Sequence, residues 1–333
     1  MRKLIFHIGL HKTGSTTIQD TLYWQREKGL KFGLHYPDIT ANLSRVLYTC
    51  FSEYGHTLRL NKLHGLDTPE KLRTPIETGL STIQKKTSAI EEPKTIISAE
   101  GATRLPILDV QKLADWLSQF FDEIDVLAYV RPPRALLNSL FQQEIRSGER
   151  LDALAKDPPV IDYRARLQPY LDVFGDKVSL KIFSRDKLLK NCIVADILSQ
   201  MGVDPALYEQ LDIKRKNMSL SWPATLYLDA INSEIPIDID GKPNKARQKH
   251  LITNARNISG EKFALPYEFL NSICAQQVED IKWMEQQLGV KLDTYDLKPD
   301  GITDFSSFLQ DQREQSFPTL ARHLHDLQKK AES

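Results

Sequence analysis

The chain has 333 residues, of which 41% are hydrophobic, 26% charged and 8% aromatic, as in ordinary soluble globular proteins. Lysine plus arginine and aspartate plus glutamate number 44 each, so the formal net charge is zero. A general nucleic-acid binder carries a basic excess, so this balance argues against that class. No segment approaches the roughly 20 apolar residues of a membrane-spanning helix. We therefore expect no nucleic-acid partner and no membrane span.

The cysteines and the N-terminal residues indicate a compartment. Cys50, Cys192 and Cys274 are widely spaced and form no Cys-x-x-Cys pair, a pattern that favours neither a disulfide framework nor a zinc site. The apolar run after the basic first residues is far too short for a signal peptide. From these features we expect a cytoplasmic protein.

Four short apolar runs alternate with helical patterns along the chain. The runs are KLIFHI, KTIISA, IDVLAYV and VSLKIFS, at residues 3–8, 94–99, 124–130 and 178–184. Helical spacing follows them from Ser15, over 107–121, from Pro132 to Gly148 and over about 188–201. Strands that alternate with helices predict a parallel sheet covered on both faces. We therefore predict an α/β fold with three layers and a central parallel sheet.

Two regions interrupt this alternation. Residues 35–92 have helical patterns without an obvious strand, which predicts a helical insertion over the sheet. Residues from about 204 to 333 are largely helical, with turn-rich segments between the helical patterns. Because no Pro/Gly/Ser-rich linker marks a boundary near residue 203, we predict a single domain over residues 1–333.

The segment after the first apolar run, GLHKTGSTT, has the features of an anion-binding loop. Gly9 and Gly14 have the spacing of a Walker-type phosphate loop, but Ser15 stands where that loop has its lysine, and Lys12 lies inside the turn. Backbone N–H groups in such a turn, together with the following helix dipole, attract anions. Hydroxyl groups are plentiful here, at Thr13, Ser15, Thr16 and Thr17. The loop therefore predicts a phosphate-type site.

The sequence HKTGSTTIQ resembles the 5′-phosphosulfate-binding loop of sulfotransferases that use 3′-phosphoadenosine 5′-phosphosulfate (PAPS), especially the bacterial and heparan-sulfate-modifying branches. In that family the lysine precedes a Ser/Thr-Gly pair, as Lys12 does here. The family also has a strand-end arginine and a serine eight positions later, both of which bind the 3′-phosphate. The stretch YVRPPRALLNSLFQQ has Arg131 and Ser139 in this arrangement. The resemblance covers about 1–30 and 94–200 and implies a P-loop-like fold that binds PAPS through the loop, Arg131 and Ser139.

Sulfuryl transfer requires stabilisation of the leaving oxygen and removal of a proton from the acceptor. Lys12 suits the first task. Glu100 ends the run TIISAE, at the edge of the predicted sheet where ligands bind, and is the preferred base. His11 is the second candidate, with shaping of the turn as its alternative role, and His35 is a third. The sulfuryl group carries less charge than a phosphoryl group, so we expect no metal.

Two basic segments give weaker signals. The segment DIKRKNMSLS includes Lys214, Arg215 and Asn217, and the resemblance implies a late basic loop that closes over the 3′-phosphate. The alternative for these residues is an ordinary solvated surface. The segment NKARQKH, at 244–250, either attracts an acidic acceptor or forms an exposed helix face.

The residues therefore favour a PAPS-dependent sulfotransferase that acts on a hydroxyl or amino group of a carbohydrate or small metabolite. Two alternatives stay open, an atypical P-loop kinase or NTPase and a nucleotide-binding module without catalysis. The kinase hypothesis predicts a magnesium-dependent nucleoside triphosphate, whereas the sulfotransferase hypothesis predicts 3′-phosphorylated adenosine nucleotides. We expect acceptor recognition in residues 35–92 and in the C-terminal helices.

Overall fold

The computed structural model describes residues 2–88, 94–214, 219–239 and 242–332. The strands are β1 (Lys3–His7), β2 (Leu34–His35), β3 (Lys94–Ser98), β4 (Glu123–Val130), β5 (Val178–Ile182), β6 (Asp238–Ile239) and β7 (Lys242–Pro243). The first eight helices are α1 (Ser15–Trp24), α2 (Arg26–Leu30), α3 (Ser44–Phe51), α4 (Arg59–Leu63), α5 (Pro69–Ser88), α6 (Ile107–Leu117), α7 (Pro133–Ser147) and α8 (Leu151–Lys156). The others are α9 (Tyr163–Phe174), α10 (Ile193–Gln200), α11 (Pro205–Gln210), α12 (Trp222–Glu234), α13 (Lys249–Ala255), α14 (Tyr267–Gln276), α15 (Val278–Leu288) and α16 (Phe305–Glu332).

A five-stranded sheet with the order β2-β3-β1-β4-β5 forms the centre of the fold, and all its neighbouring strands are parallel. Phe6 of β1 lies opposite Ile97 of β3 and Val126 of β4, which fixes the register of the three central strands. The predicted parallel α/β sheet is therefore confirmed. β2 lies at the start of the region where no strand was expected. It was not predicted because two residues are too few to show an alternating pattern.

Helices cover both faces of this sheet. On one face, Ile5 and Leu127 of the sheet pack in a buried cluster with Ile18 of α1 and Ile197 of α10. On the other face, the ring of Tyr170 on α9 lies 6.2 Å from that of Phe6, and α6 packs against α9. The strands show long buried runs because both faces are covered. The predicted three-layer arrangement is confirmed.

The chain divides into two compact units. The first comprises Met1–Arg131, Asp162–Lys216 and Trp283–Val290, and it contains the five-stranded sheet and the helices α3 to α5 of the predicted insertion. The second comprises Pro132–Ile161, Asn217–Lys282 and Lys291–Ser333. It contains most of the C-terminal helices and the antiparallel pair of β6 and β7. The organisation as a single domain over 1–333 stays a prediction.

In the second unit, a buried carboxylate caps the first turn of α7. Asp296 accepts hydrogen bonds from the backbone N–H groups of Arg134 and Ala135, each at 2.8 Å. The Arg134 guanidinium donates to the same carboxylate at 3.3 Å and lies over the Tyr267 ring. A negative charge at a helix N-terminus is stabilising because it satisfies the first N–H groups and the helix dipole. This carboxylate therefore takes up the N-terminal donors of α7.

Candidate functional site

The loop between β1 and α1 has the backbone shape of an anion-binding turn. Lys12 and Gly14 have positive φ angles of 67° and 81°, and the Thr13 hydroxyl donates to the Leu10 carbonyl at 2.6 Å. Gly14, the residue at the N-cap of α1, has no side chain that could cap the helix. The first N–H groups of a helix have no partner within the helix, so they are directed at whatever occupies the space before it. The loop and the start of α1 thus form one concave set of donors.

Gly9 is required because the backbone passes very close to two side chains. A Cβ atom at this position would lie 2.5 Å from Ser15 Oγ and 2.9 Å from the His7 ring. Neither neighbour can yield, because Ser15 is 3% exposed and His7 is fully buried. The first glycine of the motif therefore serves close approach, whereas Gly14 serves a left-handed turn.

A buried polar network supports the loop from below. His7 Nδ1 and Ser98 Oγ, which end the adjacent strands β1 and β3, lie 2.8 Å apart. Gln19 of α1 donates to the same hydroxyl at 3.0 Å. Burial lowers the pKa of His7 to about 4, so its imidazole is neutral at pH 7. The network ties β1, β3 and α1 together directly under the loop.

Several polar atoms around the loop lack a hydrogen-bond partner. Within the part of the chain that the structure describes, His7 Nε2 and His11 Nε2 are buried and have no hydrogen-bond partner. Ser15 Oγ is also buried and has no partner at ordinary hydrogen-bond geometry, although its hydroxyl lies close enough to Glu100 to favour the charged carboxyl. Leaving such a group unsatisfied costs about 1–3 kcal/mol, so these atoms are uncommon in native proteins without a reason. Their grouping beside an uncapped helix N-terminus is the pattern that a polar ligand would complete.

Glu100 lies two residues after the end of β3 and beside Ser15 and Lys12 of this loop. Burial raises the pKa of its carboxyl above the usual value, while the Ser15 hydroxyl, the charges of Lys12 and Arg104, and the Asn42 side chain act in the opposite direction. The carboxyl is thus desolvated yet surrounded by groups that favour its charged form. This combination is typical of a side chain that exchanges a proton at a functional site.

Arg131 directly follows β4 and contacts the loop itself. Its Nη1 donates to the Lys12 carbonyl oxygen at 2.9 Å, and its guanidinium lies 5.9 Å from the centre of the Phe183 ring. The Arg131 carbonyl accepts a hydrogen bond from the Tyr163 hydroxyl. Lys12, Glu100 and Arg131, predicted from three separate segments, therefore meet at the carboxyl edge of the sheet, where open α/β folds bind their ligands.

His11 lies in the loop as a neutral imidazole. Burial is the main cause that lowers its pKa to about 4, and the nearby charges of Arg104, Arg166 and Lys12 lower it further against the opposing effect of Asp162. A base with so low a pKa accepts a proton poorly near neutral pH. Of the three predicted proton acceptors, Glu100 is the one whose pKa is raised, whereas burial lowers the pKa of both His11 and His35 to about 4.

The remaining predicted residues are less closely tied to the loop. Thr16 and Thr17 lie in the first turn of α1, where the Thr17 N–H donates to the Gly14 carbonyl at 2.9 Å. Ser139 is half-buried on α7 in the second unit. The Lys214 ammonium pairs with Asp212. Arg215 and Asn217 lie outside the described residues.

His35 lies away from the carboxyl edge of the sheet. It pairs with Thr95, five residues before Glu100 on β3. At about 3.3 Å per residue this separates the two positions by roughly 16 Å along the strand. The strand register therefore places His35 towards the opposite end of the sheet from Glu100.

A cavity that the sequence did not reveal opens beside Glu100. Its volume is about 290 Å³, and it is lined by residues from the turn after β3, from α3 and from the segment that leads into α4. The Gly101 N–H donates to Ser44 Oγ at 2.8 Å, which joins the start of α3 to the turn after β3. The predicted insertion therefore contributes a wall of this cavity, with Glu100 and His11 among the other lining residues.

The described ranges contain neither a metal site nor a membrane-spanning helix. Within residues 2–88, 94–214, 219–239 and 242–332, no group of three or more His, Cys, Asp or Glu residues is arranged to hold a metal ion. No helix in those ranges is long and apolar enough to cross a lipid bilayer.

Comparisons with known proteins include a structural likeness. No family model matches the chain, and no curated protein matches it. Among solved structures, the chain is similar to the sulfotransferase domain from the curacin biosynthetic pathway, with 12% identity and a TM-score of 0.38. The similarity covers 84% of this chain and 98% of that domain. Similarity at that score is too weak to carry a function, which rests instead on the loop, Glu100 and Arg131.

Proposed function

We propose that the protein is a PAPS-dependent sulfotransferase that acts on a hydroxyl or amino group of a carbohydrate or small-metabolite acceptor. One observation carries the proposal. An uncapped helix start, a loop lysine with a left-handed backbone, a desolvated carboxyl and an arginine meet at one edge of a parallel sheet. The order of these groups along the chain is that of the sulfotransferase motifs that the sequence resembles.

The loop residues from Lys12 to Thr17 bind the 5′-phosphosulfate end of the donor substrate in this proposal. Backbone N–H groups of the loop and of the first turn of α1 hold the phosphate oxygens. The Lys12 ammonium stabilises the bridging oxygen as the bond from that oxygen to sulfur breaks. The electron pair of that bond stays with the 5′-phosphate, so the product is adenosine 3′,5′-bisphosphate. No metal takes part in the proposed reaction.

Glu100 takes the acceptor proton. A new bond forms from the acceptor oxygen or nitrogen to sulfur, and the proton that this atom loses moves to the Glu100 carboxylate. A carboxylate in a desolvated position is a stronger base than one in water, because burial disfavours its charged form. The charges of Lys12 and Arg104 act against this effect and favour the charged form of the carboxyl.

Arg131 has two tasks in the proposal. It holds the Lys12 carbonyl through Nη1, and its fork of N–H donors binds the 3′-phosphate, to which the motif that the sequence resembles also assigns Ser139. Lys214, Arg215 and Asn217 remain candidates for additional contacts with that phosphate. The 3′-phosphate is the feature that distinguishes this nucleotide from ATP.

A thermal-shift comparison tests the proposal, because a ligand that binds the native state raises the melting temperature. We expect adenosine 3′,5′-bisphosphate to stabilise the protein more than ATP with magnesium at equal concentration. The opposite order would favour a kinase or NTPase. In a second arm, Glu100→Gln should keep nucleotide binding and lose sulfuryl transfer. A protein that binds the bisphosphate but transfers to no acceptor would be a nucleotide-binding module instead.

A further inference from the structure

The cavity beside Glu100 is lined by more positively charged side chains than negatively charged ones. Three arginines line it, Arg45, Arg59 and Arg104, whereas Glu100 is its single acidic lining residue among those the structure describes. His11, which also lines it, is neutral near pH 7 because its pKa lies at about 4. The cavity therefore presents an excess of positive charge to any molecule that reaches Glu100.

Within the described residues, the charges of the three arginines are not neutralised by ion pairs with nearby carboxylates. Across the described part of the chain, no carboxylate forms an ion pair with Arg45, Arg59 or Arg104 within 4 Å. Guanidinium groups outside such ion pairs remain available for an external oxyanion, which a guanidinium binds with two parallel hydrogen bonds.

Arg45 is held in place by a buried amide. Its Nε donates to Asn61 Oδ1 at 2.8 Å, and the Asn61 amide nitrogen donates to Thr49 Oγ1 and to the Gly55 carbonyl, each at 2.8 Å. Asn61 is 1% exposed. A side chain oriented in this way loses less conformational entropy when it binds a ligand. Arg45 is thus set towards the cavity in advance, whereas Arg59 and Arg104 are exposed at the rim.

The other walls of the cavity suit a compact organic molecule. Tyr48, Leu58 and Leu60 add apolar surface between the arginines. A volume of about 290 Å³ lies at the lower end of the ~300–1,000 Å³ that small-molecule sites usually have. The cavity is therefore matched to one small ring system or sugar with a polar end.

We propose that this cavity binds the acceptor substrate and that the acceptor carries an oxyanion, such as a carboxylate or sulfate, held by Arg45, Arg59 and Arg104. The hydroxyl or amino group at the other end of the same molecule reaches Glu100. This inference rests on the proposed function for its meaning, since Glu100 is the base there. The oxyanion preference itself is a binding property that is measured without turnover.

Four phenols that differ mainly in charge test the inference by titration calorimetry. The probes are 4-hydroxyphenylacetate, 4-hydroxyphenylmethanesulfonate, the neutral 4-hydroxyphenylacetamide and the cationic tyramine. We expect at least one of the two anions to bind at least tenfold more tightly than the amide, with tyramine weakest, because charge-assisted hydrogen bonds are the stronger kind. Equal binding of all four probes, tightest binding of tyramine, or no binding of either anion at 10 mM would overturn the inference.

Matched variants test which arginines cause the preference for the anionic probes. Arg59→Gln combined with Arg104→Gln should reduce the preference for the anion to less than threefold, and both positions are exposed, so the fold should tolerate the changes. Arg73→Gln, an exposed arginine of α5 outside the cavity, should leave the preference unchanged. Should the double variant unfold, the two single variants give the same comparison. An unchanged preference in these variants would place the anion elsewhere and overturn the inference.

The two proposals fail separately. If adenosine 3′,5′-bisphosphate does not stabilise the protein while the anion preference persists, the sulfotransferase proposal fails and the oxyanion site stands. If the bisphosphate stabilises the protein and the anion preference is absent, only the oxyanion site is lost.

Discussion

Arg131 Nη1 lies 2.9 Å from the carbonyl oxygen of Lys12, so one hydrogen bond joins two segments that are 119 positions apart in the chain. Lys12 has a left-handed backbone conformation, which residues other than glycine adopt at a cost in free energy. The Arg131 guanidinium, which follows β4, donates to the carbonyl oxygen of this left-handed residue. The arginine is therefore part of the support of the loop as well as a candidate ligand for the nucleotide.

Replacement of Arg131 should weaken nucleotide binding in two ways. Arg131→Ala removes the donor to Lys12 and the proposed phosphate contact, and Arg131→Lys restores a charge without the forked geometry. We expect both variants to bind adenosine 3′,5′-bisphosphate about 10- to 100-fold more weakly, since hydrogen bonds to charged groups contribute roughly 1.5–3 kcal/mol. Calorimetry measures the affinities. Arg185→Ala, at an exposed position, is the control, and equal affinity in all four proteins would contradict the assignment.

Lys12 should show opposite effects on stability and activity. Glycine adopts φ near 67° without a steric penalty, so Lys12→Gly should raise the stability of the protein, by up to about 1 kcal/mol, and Lys12→Ala should not. Both variants should lose turnover by at least about a hundredfold, because the ammonium at the leaving oxygen is gone. Thermal melting and a sulfuryl-transfer assay measure the two effects. Normal turnover in Lys12→Gly would remove the lysine from the mechanism.

Glu100→Gln should separate proton transfer from folding. The raised pKa means that the folded state disfavours the charged carboxylate, so the stability associated with this group is complete at low pH and declines as the pH rises through its folded pKa. The amide variant should therefore melt at the same or a higher temperature than the wild type at pH 7. Turnover of the wild type should rise with pH as the carboxyl loses its proton, and that step should be missing in the variant.

The matched control for this experiment is Glu77→Gln, an exposed glutamate of α5. It should change neither the turnover nor the melting temperature. A Glu100→Gln variant that keeps full turnover would show that another group accepts the proton, with His11 the next candidate.

His7 should make the protein sensitive to mild acid. Its folded pKa of about 4 lies below the usual value of 6.5, so its contribution to stability is complete above pH 6.5 and is lost as the pH falls towards 4. Between pH 7 and pH 5 the loss should amount to about 2 kcal/mol. His7→Asn should reduce this pH dependence of the unfolding free energy, while the part due to His11 and His35, whose pKa values are also lowered to about 4, should remain. His250→Asn, at an exposed histidine, should preserve it, and identical slopes in both variants would contradict the assignment.

The sequence predicted the sheet well because its strands are buried on both faces. Such strands are continuous apolar runs bounded by turn residues, and the four predicted runs correspond to β1, β3, β4 and β5. The structure begins α10 at Ile193, several residues after the predicted helix start, because residues 189–191 form a short turn that includes a left-handed Lys190. β2 escaped prediction because two residues carry no period.

Parts of the site could be predicted because they follow strands directly. The loop around Lys12, Glu100 and Arg131 all come after apolar runs, and parallel topology brings such positions to one edge. The arginine cavity could not be predicted, since Arg45, Arg59 and Arg104 share no spacing and line one cavity only because α3, the start of α4 and the turn after β3 lie around it. The contact from Arg131 to the Lys12 carbonyl was likewise hidden, because a motif specifies residue types and leaves backbone direction open.

The most direct measurement of the central claim is a calorimetric titration of the wild-type protein with adenosine 3′,5′-bisphosphate, adenosine 5′-monophosphate and ATP with magnesium. The bisphosphate and the monophosphate differ only in the 3′-phosphate, so their affinity ratio isolates the contribution that the proposal assigns to Arg131. We predict that the bisphosphate binds at least tenfold more tightly than either of the others. Equal affinity for bisphosphate and monophosphate, or tighter binding of ATP with magnesium, would contradict the account.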